Sequence, residues 1–262
     1  MLKTTHPPIK VTFLGTGTSI GVPVITCDCP VCVSIDQRDK RMRTSAMVEV
    51  NGLTFVIDCG PDFRHQMLRQ QVLNLDAVIF THEHRDHIAG LDDVRAFNYV
   101  LNKKIDIYGT AQVMEAIRIE FPYIFSETRY FGAPQLTIHA IDDKPFTIQG
   151  IEFIPIKALH EKLPVTGYRI GDFTYITDAS FISDEELEKV KGSKVIVLNA
   201  LRNSKHVSHF SVGEAVDILK KLNPEAGYLT HLSHFVGLHE DVNKKLPDFV
   251  RLAFDGLEVI VK

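Results

Sequence analysis

The hydrophobic residues of this chain fall into short runs, and several of these runs stop abruptly at a histidine or an aspartate. Short runs rich in Val, Ile, Phe and Tyr are typical of buried β-strands. The turns Asn51-Gly52 and Gly171-Asp172 each predict a hairpin between two such runs. The predicted strands are residues 9–14, 45–50, 53–58, 73–80, 105–108, 136–156 with two turns, 168–170, 173–176, 195–198, 227–230 and 257–261.

Between these runs, apolar residues recur at the spacing of an α-helix. Ser211 followed by Glu214 has the pattern of a helix-starting capping box. The predicted helices are residues 61–70, 92–102, 110–121, 184–190, one that begins at 211, and 238–246. Because strands and helices alternate, the pattern predicts an α/β fold. No repeat of fixed period or low-complexity tract appears, so residues 1–262 are expected to form a single domain.

Composition excludes several classes of protein. The hydrophobic content of 45% over 262 residues supports a sizeable core. The net charge is −4 and the basic residues are dispersed, so no surface for long nucleic acid is expected. No apolar run approaches the roughly 18 residues that span a bilayer. Residues 1–10 lack the apolar core of a secretory signal, and we therefore expect a cytoplasmic location without membrane contact.

A cluster of metal-binding residue types follows the apolar run 77–80. His82, His84, Asp86 and His87 offer nitrogen and oxygen donors that suit Zn, Mn or Fe. His82 and His84 share one side of an extended segment, whereas Asp86 and His87 fall after the chain turns, so the motif can supply two adjacent metals. The alternative is a polar loop with incidental histidines. Histidine is only 12 of 262 residues, which counts against that alternative.

Three further residues of metal-binding type stand at strand ends, namely His160, Asp178 and His231. Neighbouring strands of a sheet lie about 5 Å apart, so their ends can contribute side chains to one site. Each residue taken singly would be interpreted as an ordinary satisfied polar group. Together with the motif at 82–87 they are better explained as ligands.

Three of the four cysteines are clustered as Cys27-x-Cys29-x-x-Cys32. In a reducing compartment such a cluster indicates metal binding rather than a disulfide. The three thiolates are one ligand short of the tetrahedral shell of a structural Zn, so a fourth ligand must come from elsewhere; three free thiols are the alternative. Cys59 stands apart and is interpreted as a small buried apolar residue.

The series His82-x-His84-x-Asp86-His87, His160, Asp178 and His231 resembles the ligand series of the metallo-β-lactamase-fold hydrolases over nearly the whole chain. The cysteine loop at 27–32 and the segment 229–234 resemble, more specifically, the phosphoribosyl 1,2-cyclic phosphate phosphodiesterases of the carbon–phosphorus lyase pathway. The resemblance implies a four-layer αββα sandwich.

The resemblance also implies roles for individual residues. It implies that His82, His84 and His160 hold one metal, that Asp86, His87 and His231 hold the other, that Asp178 bridges both, and that His234 completes a structural Zn site with Cys27, Cys29 and Cys32. His209 matches the catalytic histidine of the family and is assigned proton donation. Asp86 is expected to serve catalysis as well as metal binding.

The expected activity is hydrolysis of a small cyclic or sugar phosphodiester with two catalytic divalent metals, Mn or Zn, and one structural Zn. Two metals about 3.5 to 4 Å apart lower the pKa of a bridging water towards roughly 7 and hold a phosphoryl oxygen for attack. An imidazolium such as His209 can neutralise the leaving alkoxide.

Other interpretations stay open at this point. A tRNA 3′-end processing endonuclease of the same fold is the nearest rival, followed by a non-catalytic metal-dependent carrier in cofactor biosynthesis. A lactam or thioester hydrolase has no use for the cysteine loop. Arg43, Arg64 and Arg202 are either phosphate contacts or solvated side chains, and the aromatic segment 121–131 is either core packing or a pocket wall. The sequence identifies neither the substrate nor the native metal, and it leaves a homodimer open.

Overall fold

Two mixed β-sheets pack face to face in the computed structural model, which describes residues 7–128 and 130–262. Residues 1–6, part of the N-terminal stretch considered above, and Arg129 of the aromatic segment lie outside the described residues. The strands are β1 (Ile9–Gly15), β2 (Ser45–Val50), β3 (Leu53–Ile57), β4 (Ala77–Ile79), β5 (Ile105–Thr110), β6 (Leu136–Ile141), β7 (Phe146–Ile148), β8 (Ile151–His160), β9 (Leu163–Ile170), β10 (Phe173–Ile176), β11 (Val195–Asn199), β12 (Ala226–Thr230), β13 (Val250–Leu252) and β14 (Glu258–Val261).

Helices fill most of the connections between strands. The α-helices are α1 (Pro30–Val33), α2 (Phe63–Arg69), α3 (Arg85–Ile88), α4 (Arg95–Leu101), α5 (Ala111–Glu120), α6 (Pro122–Phe125), α7 (Asp184–Val190), α8 (Val212–Leu222) and α9 (His239–Asn243), and short 3₁₀ turns span Gln37–Asp39, Leu91–Val94 and His234–Val236. The capping box predicted at Ser211 and Glu214 starts α8.

The two sheets have the same internal plan. The strand order is β14-β1-β2-β3-β4-β5-β6 in the first sheet and β7-β8-β9-β10-β11-β12-β13 in the second. The first four strands of each series pair antiparallel, and the last four pair parallel. β3 and β10 therefore occupy equivalent places, each at the junction of an antiparallel and a parallel half.

The fold has four layers, namely helices, two sheets and helices, and an apolar cluster lies between each pair of neighbouring layers. Between the sheets, the Phe55 and Phe153 rings meet edge to face at 5.3 Å. The outer face of the first sheet packs against α2, α4 and α5, and that of the second sheet packs against α7 and α8. Adjacent residues of one strand pack on opposite faces of the sheet. Val56 packs on the helix side, and Ile57 packs between the two sheets. The architecture is the αββα sandwich that was expected.

The predicted elements agree with the structure except at a few boundaries. The strand predicted for residues 73–80 is formed only by Ala77–Ile79, because Asn74 and Asp76 bind each other and Asp76 accepts a hydrogen bond from the Thr54 N–H. The helix predicted for 92–102 begins as a 3₁₀ turn. Strand β13 and the first half of β9 were not predicted. Of the described helices, none combines the length and the apolar character needed to cross a membrane.

Candidate active site

The carboxyl ends of several strands meet at one edge of the sandwich. β3 and β4 are parallel, as are β10, β11 and β12, and β8 runs in the direction of β10 because both are antiparallel to β9. The residues that end or follow these strands are Asp58, His82, His160, Asp178 and His231. The topology therefore brings the strand-end residues singled out in the sequence to one place.

Direct bonds between the sheets fix their relative position at this edge. The Thr166 N–H donates to the Thr81 carbonyl at 3.0 Å, and the buried Tyr168 hydroxyl donates to the Phe80 carbonyl at 2.6 Å. Both acceptors belong to the segment that leads directly into His82. The metal-binding motif of the first sheet is thus held against the second sheet.

Three of the strand-end residues have a backbone conformation in the left-handed region. The φ angle is 64° at Asp58, 56° at Asp178 and 55° at His231. Residues other than glycine rarely adopt this region, and such positions concentrate at functional sites. Each of the three follows the end of a buried strand by one or two residues.

Asp178 lies at the centre of one group of ligand-type atoms. Its Oδ2 is 3.2 Å from Nε2 of His87, and its Oδ1 is 3.0 Å from Nε2 of His231. Asp86 Oδ2 is 3.2 Å from the same nitrogen of His87. One ligand atom from each of these four residues lies within 4.8 Å of the others. The structure thus brings together Asp86, His87, His231 and Asp178.

The remaining histidines surround the other side of Asp178. The ring centroids of His82 and His84 are 4.7 Å apart, and those of His84 and His160 are 5.1 Å apart. Ligand atoms of His160, Asp178 and His209 also lie within 4.8 Å of one another. Asp178 is therefore shared between two groups, which is the position that the bridging assignment requires.

Several buried ring nitrogens in this cluster lack a hydrogen-bond partner in the part of the chain that the structure describes. They are Nε2 of His82, Nε2 of His87, Nδ1 of His209 and both nitrogens of His231. An unsatisfied buried polar group costs about 1–3 kcal/mol, so native proteins rarely leave one unpaired. Several in one cluster with two carboxylates fit divalent-metal coordination, which uses the free ring nitrogen.

The opposite nitrogens of these rings are held by hydrogen bonds. Nδ1–H of His87 donates to Asp58 Oδ2 at 2.7 Å, and Asp58 also accepts from the Thr81 N–H and hydroxyl at 2.9 Å. The Thr81 oxygen in turn lies 3.0 Å from Nδ1 of His82. Such contacts fix the tautomer and leave Nε2 to face a metal.

A similar support reaches His160, whose Nδ1–H donates to the Ser208 carbonyl at 2.7 Å. Sequence reasoning missed Asp58, Thr81 and Ser208 as parts of the site. Only Asp58 carried a usable signal, because it ends a buried strand in the same manner as Asp178.

Glycine is required where the motif packs on the first sheet. A Cβ atom at Gly60 would lie 2.0 Å from the Asp86 carbonyl oxygen. Next to it, buried Cys59 exchanges backbone hydrogen bonds with His87 and Gly90 and packs in the apolar layer beneath the helices. This packing agrees with the interpretation of Cys59 as a small apolar residue.

Burial and neighbouring charges shift the pKa values of the cluster in opposite directions. Burial lowers the pKa of His82 well below its usual value, and burial together with His231 lowers that of His209 to about 2. For His231, burial is outweighed by the Asp178 carboxylate, which raises the pKa to about 9. Burial likewise disfavours the Asp178 carboxylate, but His231 and His87 hold its pKa well below the ordinary range. A divalent cation would replace the protons at this centre, so its binding releases protons.

The cysteine cluster forms a second group, which the short segment from His231 to His234 connects to the first. The Sγ atoms of Cys27, Cys29 and Cys32 lie 3.3, 3.4 and 3.4 Å from Nδ1 of His234. Sulfur and nitrogen lie roughly 3.5 Å apart in a tetrahedral shell with Zn–S of about 2.3 Å and Zn–N of about 2.0 Å. The four residues therefore fit one zinc ion, and His234 lies where the resemblance implied the fourth ligand.

Other residues considered in the sequence have structural contacts. The Arg43 guanidinium donates to Asp62 and to the Ser19 carbonyl. Arg202 donates to carbonyls of its own loop, and Arg64 lines an apolar groove between α2 and α4. In the aromatic segment, Phe121 and Ile124 are buried in the apolar layer with α5, whereas Phe131 is 98% exposed.

Comparison with known proteins agrees with this architecture. The family model of the beta-lactamase superfamily domain matches residues 54–232. A crystal structure of a diphosphatase from the PhnP family is 37% identical, with a TM-score of 0.91, and covers 97% of this chain and 98% of that chain.

Curated relatives share only part of their length with this chain. An octanoyltransferase of Porphyromonas gingivalis is 38% identical over 256 residues, which is 97% of this chain and 52% of that protein. A ribonuclease Z of Nostoc punctiforme is 28% identical over 171 residues, which is 63% of this chain and 47% of that protein. The chain thus spans about half the length of these curated relatives. The superfamily match, the near full-length likeness to the PhnP-family diphosphatase and the buried histidine and aspartate centre lead to one conclusion: this chain belongs to the metallo-β-lactamase superfamily and, within it, to the PhnP family.

Proposed function

We propose that this protein is a dinuclear phosphodiesterase that hydrolyses a small cyclic or sugar phosphodiester, or a related diphosphate ester. One observation carries the proposal, namely that buried ring nitrogens of His87 and His231 without hydrogen-bond partners among the described residues lie in one cluster with Asp178, and that the His82 ring, with a similar nitrogen, lies 4.1 Å from that of His87. The likeness to a PhnP-family diphosphatase supports a phosphorus ester or anhydride as substrate.

The proposed ligand sets follow the two groups around Asp178. His82, His84 and His160 hold one metal, Asp86, His87 and His231 hold the other, and Asp178 contacts both. The 4.7 and 5.1 Å distances from the His84 ring to those of His82 and His160 support the first set, and the grouping of Asp86, His87 and His231 with Asp178 supports the second. Mn and Zn are the proposed metals, because imidazole and carboxylate donors suit both.

When bound, two such metals supply Lewis acidity towards a phosphoryl oxygen and an activated water near neutral pH. The chain contributes a dry, rigid frame for this chemistry. Asp58 and the Ser208 carbonyl orient the imidazoles of His87 and His160, and burial excludes competing solvent from the ring nitrogens.

We assign protonation of the leaving oxygen to His209. Its ring lies 4.5 Å from that of His160 and 4.8 Å from that of His231, and its Nδ1 lies 3.8 Å from Asp178 Oδ1. His209 thus lies at the border of both ligand groups. Burial and His231 lower its pKa in the free protein, and the negative charge of a bound phosphoryl group raises it again, so that His209 takes up from solvent, as the substrate binds, the proton that it gives to the leaving oxygen.

We further propose a structural zinc held by Cys27, Cys29, Cys32 and His234. The equal distances from the three sulfurs to Nδ1 of His234, all within 3.3–3.4 Å, support it. His234 lies three residues beyond His231, so this zinc ties the loop of a catalytic ligand to the N-terminal part of the chain.

The test uses the leaving group as a probe of His209. Apo-protein is reloaded separately with Mn and Zn. Four substrates are then compared: a cyclic ribose phosphate, a methyl phosphodiester, a p-nitrophenyl phosphodiester and a phosphomonoester. We expect His209→Ala to lower kcat for the poor alkoxide leaving groups by about 10²–10⁴, and to affect the p-nitrophenyl diester far less, because that leaving group needs no proton. His139→Ala serves as the control, since His139 binds Asp106 on the outer strands β5 and β6.

Other outcomes would assign the protein differently. Cleavage of a pre-tRNA, with no cleavage of any small diester, would favour the ribonuclease activity named for the Nostoc relative. Two bound metals without turnover of any diester would indicate a binding protein. If His209→Ala lowers cleavage of the p-nitrophenyl phosphodiester as much as that of the methyl phosphodiester, His209 does not act as the acid.

A further inference from the structure

The segment 202–209 forms a closed loop between β11 and α8 at the rim of the proposed centre. Leu201 N–H donates to the Phe210 carbonyl at 2.9 Å, and Val212 N–H donates to the Arg202 carbonyl at 3.0 Å, so the base of the loop is paired. The Arg202 guanidinium reaches across it to the carbonyls of Ser204 and Lys205, at 3.3 and 2.8 Å. The loop therefore holds one conformation without any help from a ligand.

His206 is fixed inside this loop by Ser208. Its Nδ1 lies 3.3 Å from the Ser208 N–H and 3.2 Å from the Ser208 hydroxyl. A backbone N–H can only donate, so Nδ1 accepts, and the ring proton must stand on Nε2. The carbonyl of the same Ser208 accepts from Nδ1–H of His160. One residue thus positions both a proposed metal ligand and the His206 ring.

The ring of His206 lies next to His209, on the outer side of the centre. The centroids of His206 and His209 are 5.4 Å apart, and those of His209 and His160 are 4.5 Å apart. His206 is half-buried, and within residues 7–128 and 130–262 its Nε2 has no hydrogen-bond acceptor. The Arg202 guanidinium adds positive charge on this side, whereas exposed Lys205 is paired with Glu214 at 3.7 Å. An N–H donor without an acceptor among the described residues is therefore presented one imidazole beyond His209.

We propose that His206 binds, through Nε2–H, an oxygen of a second phosphoryl group of the substrate, and that it makes the site prefer diphosphate-linked esters over esters of a single phosphate. This inference rests on the proposed function, because the first phosphoryl group is placed at the dinuclear centre. The donor is preorganised by Ser208, so the contact requires no rearrangement of the loop.

The test compares two substrates that differ by one phosphoryl group, the p-nitrophenyl esters of thymidine 5′-monophosphate and 5′-diphosphate. We expect His206→Ala to raise KM for the diphosphate ester about 10-fold with kcat within about 2-fold, and to leave both constants for the monophosphate ester within about 2-fold. His206→Gln places an amide N–H near the position of Nε2 and should restore most of the loss. Lys205→Ala controls for the general effect of positive charge on this loop.

A binding measurement separates the two proposals. The dissociation constant of thymidine 5′-(α,β-methylene)diphosphate, measured by calorimetry, should rise about 10-fold in His206→Ala, with an unchanged metal content. If the wild type cleaves neither ester but this binding still weakens, the proposed function fails and the assignment of His206 stands. An equal loss with both substrates, no loss with either, or a loss matched by Lys205→Ala would overturn the assignment.

Discussion

One imidazole in this protein lies between two carboxylates that have the same backbone conformation. Asp58 and Asp178 both have left-handed φ angles, at the ends of the equivalent strands β3 and β10. Asp58 binds Nδ1 of His87 at 2.7 Å, and Asp178 lies 3.2 Å from Nε2. Asp58 therefore decides which nitrogen of His87 is free for a metal.

Replacing Asp58 by asparagine tests this orientation. We expect Asp58→Asn to weaken binding of one of the two proposed metals by about 10–100-fold, because the amide supports the His87 ring less strongly than the carboxylate does. Metal content after dialysis against graded chelator measures it. Asp106→Asn, which changes the exposed pair with His139, is the matched control. Unchanged affinity in Asp58→Asn would show that His87 needs no such support.

Gly60 is a second residue whose identity follows from the geometry. Gly60→Ala brings a Cβ to 2.0 Å from the Asp86 carbonyl oxygen, so backbone must move. We expect a loss of about 3 kcal/mol or more in the free energy of unfolding, measured by urea denaturation, with reduced metal binding. Gly213→Ala is the control, since nothing lies within 4 Å of its Cβ position in α8, and it should be neutral or stabilising by about 0.5 kcal/mol. A mild effect at Gly60 would contradict the close packing.

For single residues, the sequence was informative where the residue type itself predicts the chemistry, as histidine and aspartate predict metal binding. His82, His84, Asp86 and His87 are unusual enough together to identify a metal site, and the structure brings their side chains into one cluster. Asp58 and Ser208 were missed because single polar residues near a strand end or in a loop have many uses. Their role depends on which ring lies opposite them, and that is a property of the fold.

Elements were predictable where the local pattern is decisive. Asn51-Gly52 joins β2 and β3 as predicted, and the capping box starts α8. The short strand β13 was not predictable, because its stability comes from pairing with β12 rather than from its own three residues. The order of strands in the two sheets likewise depends on contacts between distant segments, for which no local pattern exists.

Helix α9 provides a prediction about pH. His239, at its start, is buried, and its Nδ1 lies 3.2 Å from the Arg41 guanidinium. Burial and the positive charge of Arg41 lower the pKa of His239 to about 4. Between pH 4 and 6.5 the unfolded chain therefore binds more protons at this residue than the folded one, and stability falls as the pH falls.

The expected size of this effect is about 2 kcal/mol between pH 7.5 and pH 5. It is measured as the free energy of unfolding in urea at both values, for the wild type and for His239→Gln. The variant should lose about 2 kcal/mol less than the wild type over this interval. Parallel losses in the two proteins would show that other groups cause the pH dependence.

At the scale of the whole molecule, the proposed zinc joins the N-terminal loop to the loop of His231. We expect Cys29→Ser to lower the free energy of unfolding by several kcal/mol, because ligation energy is folding energy, and to lower turnover per folded molecule much less. Zinc content, urea denaturation and activity normalised to folded protein measure this. Cys59→Ala, at a cysteine outside the cluster, should keep its zinc. A larger loss of turnover than of stability would contradict the structural role.

The pairing of β1 with β14 and the contacts of the cysteine loop with His234 have a consequence for biosynthesis. Cys27 and His234 are 207 residues apart, so at roughly 5–20 residues per second the cysteine loop leaves the ribosome about 10–40 s before its partner. During this time its three thiols are exposed to oxidants and to foreign metals, and β1 lacks one neighbour. The proposed zinc site and the pairing of β1 with β14 can thus form only after residues 234–261 have been synthesised, and we expect nascent chains of this protein to depend on chaperones and on a reducing environment more than the finished fold does.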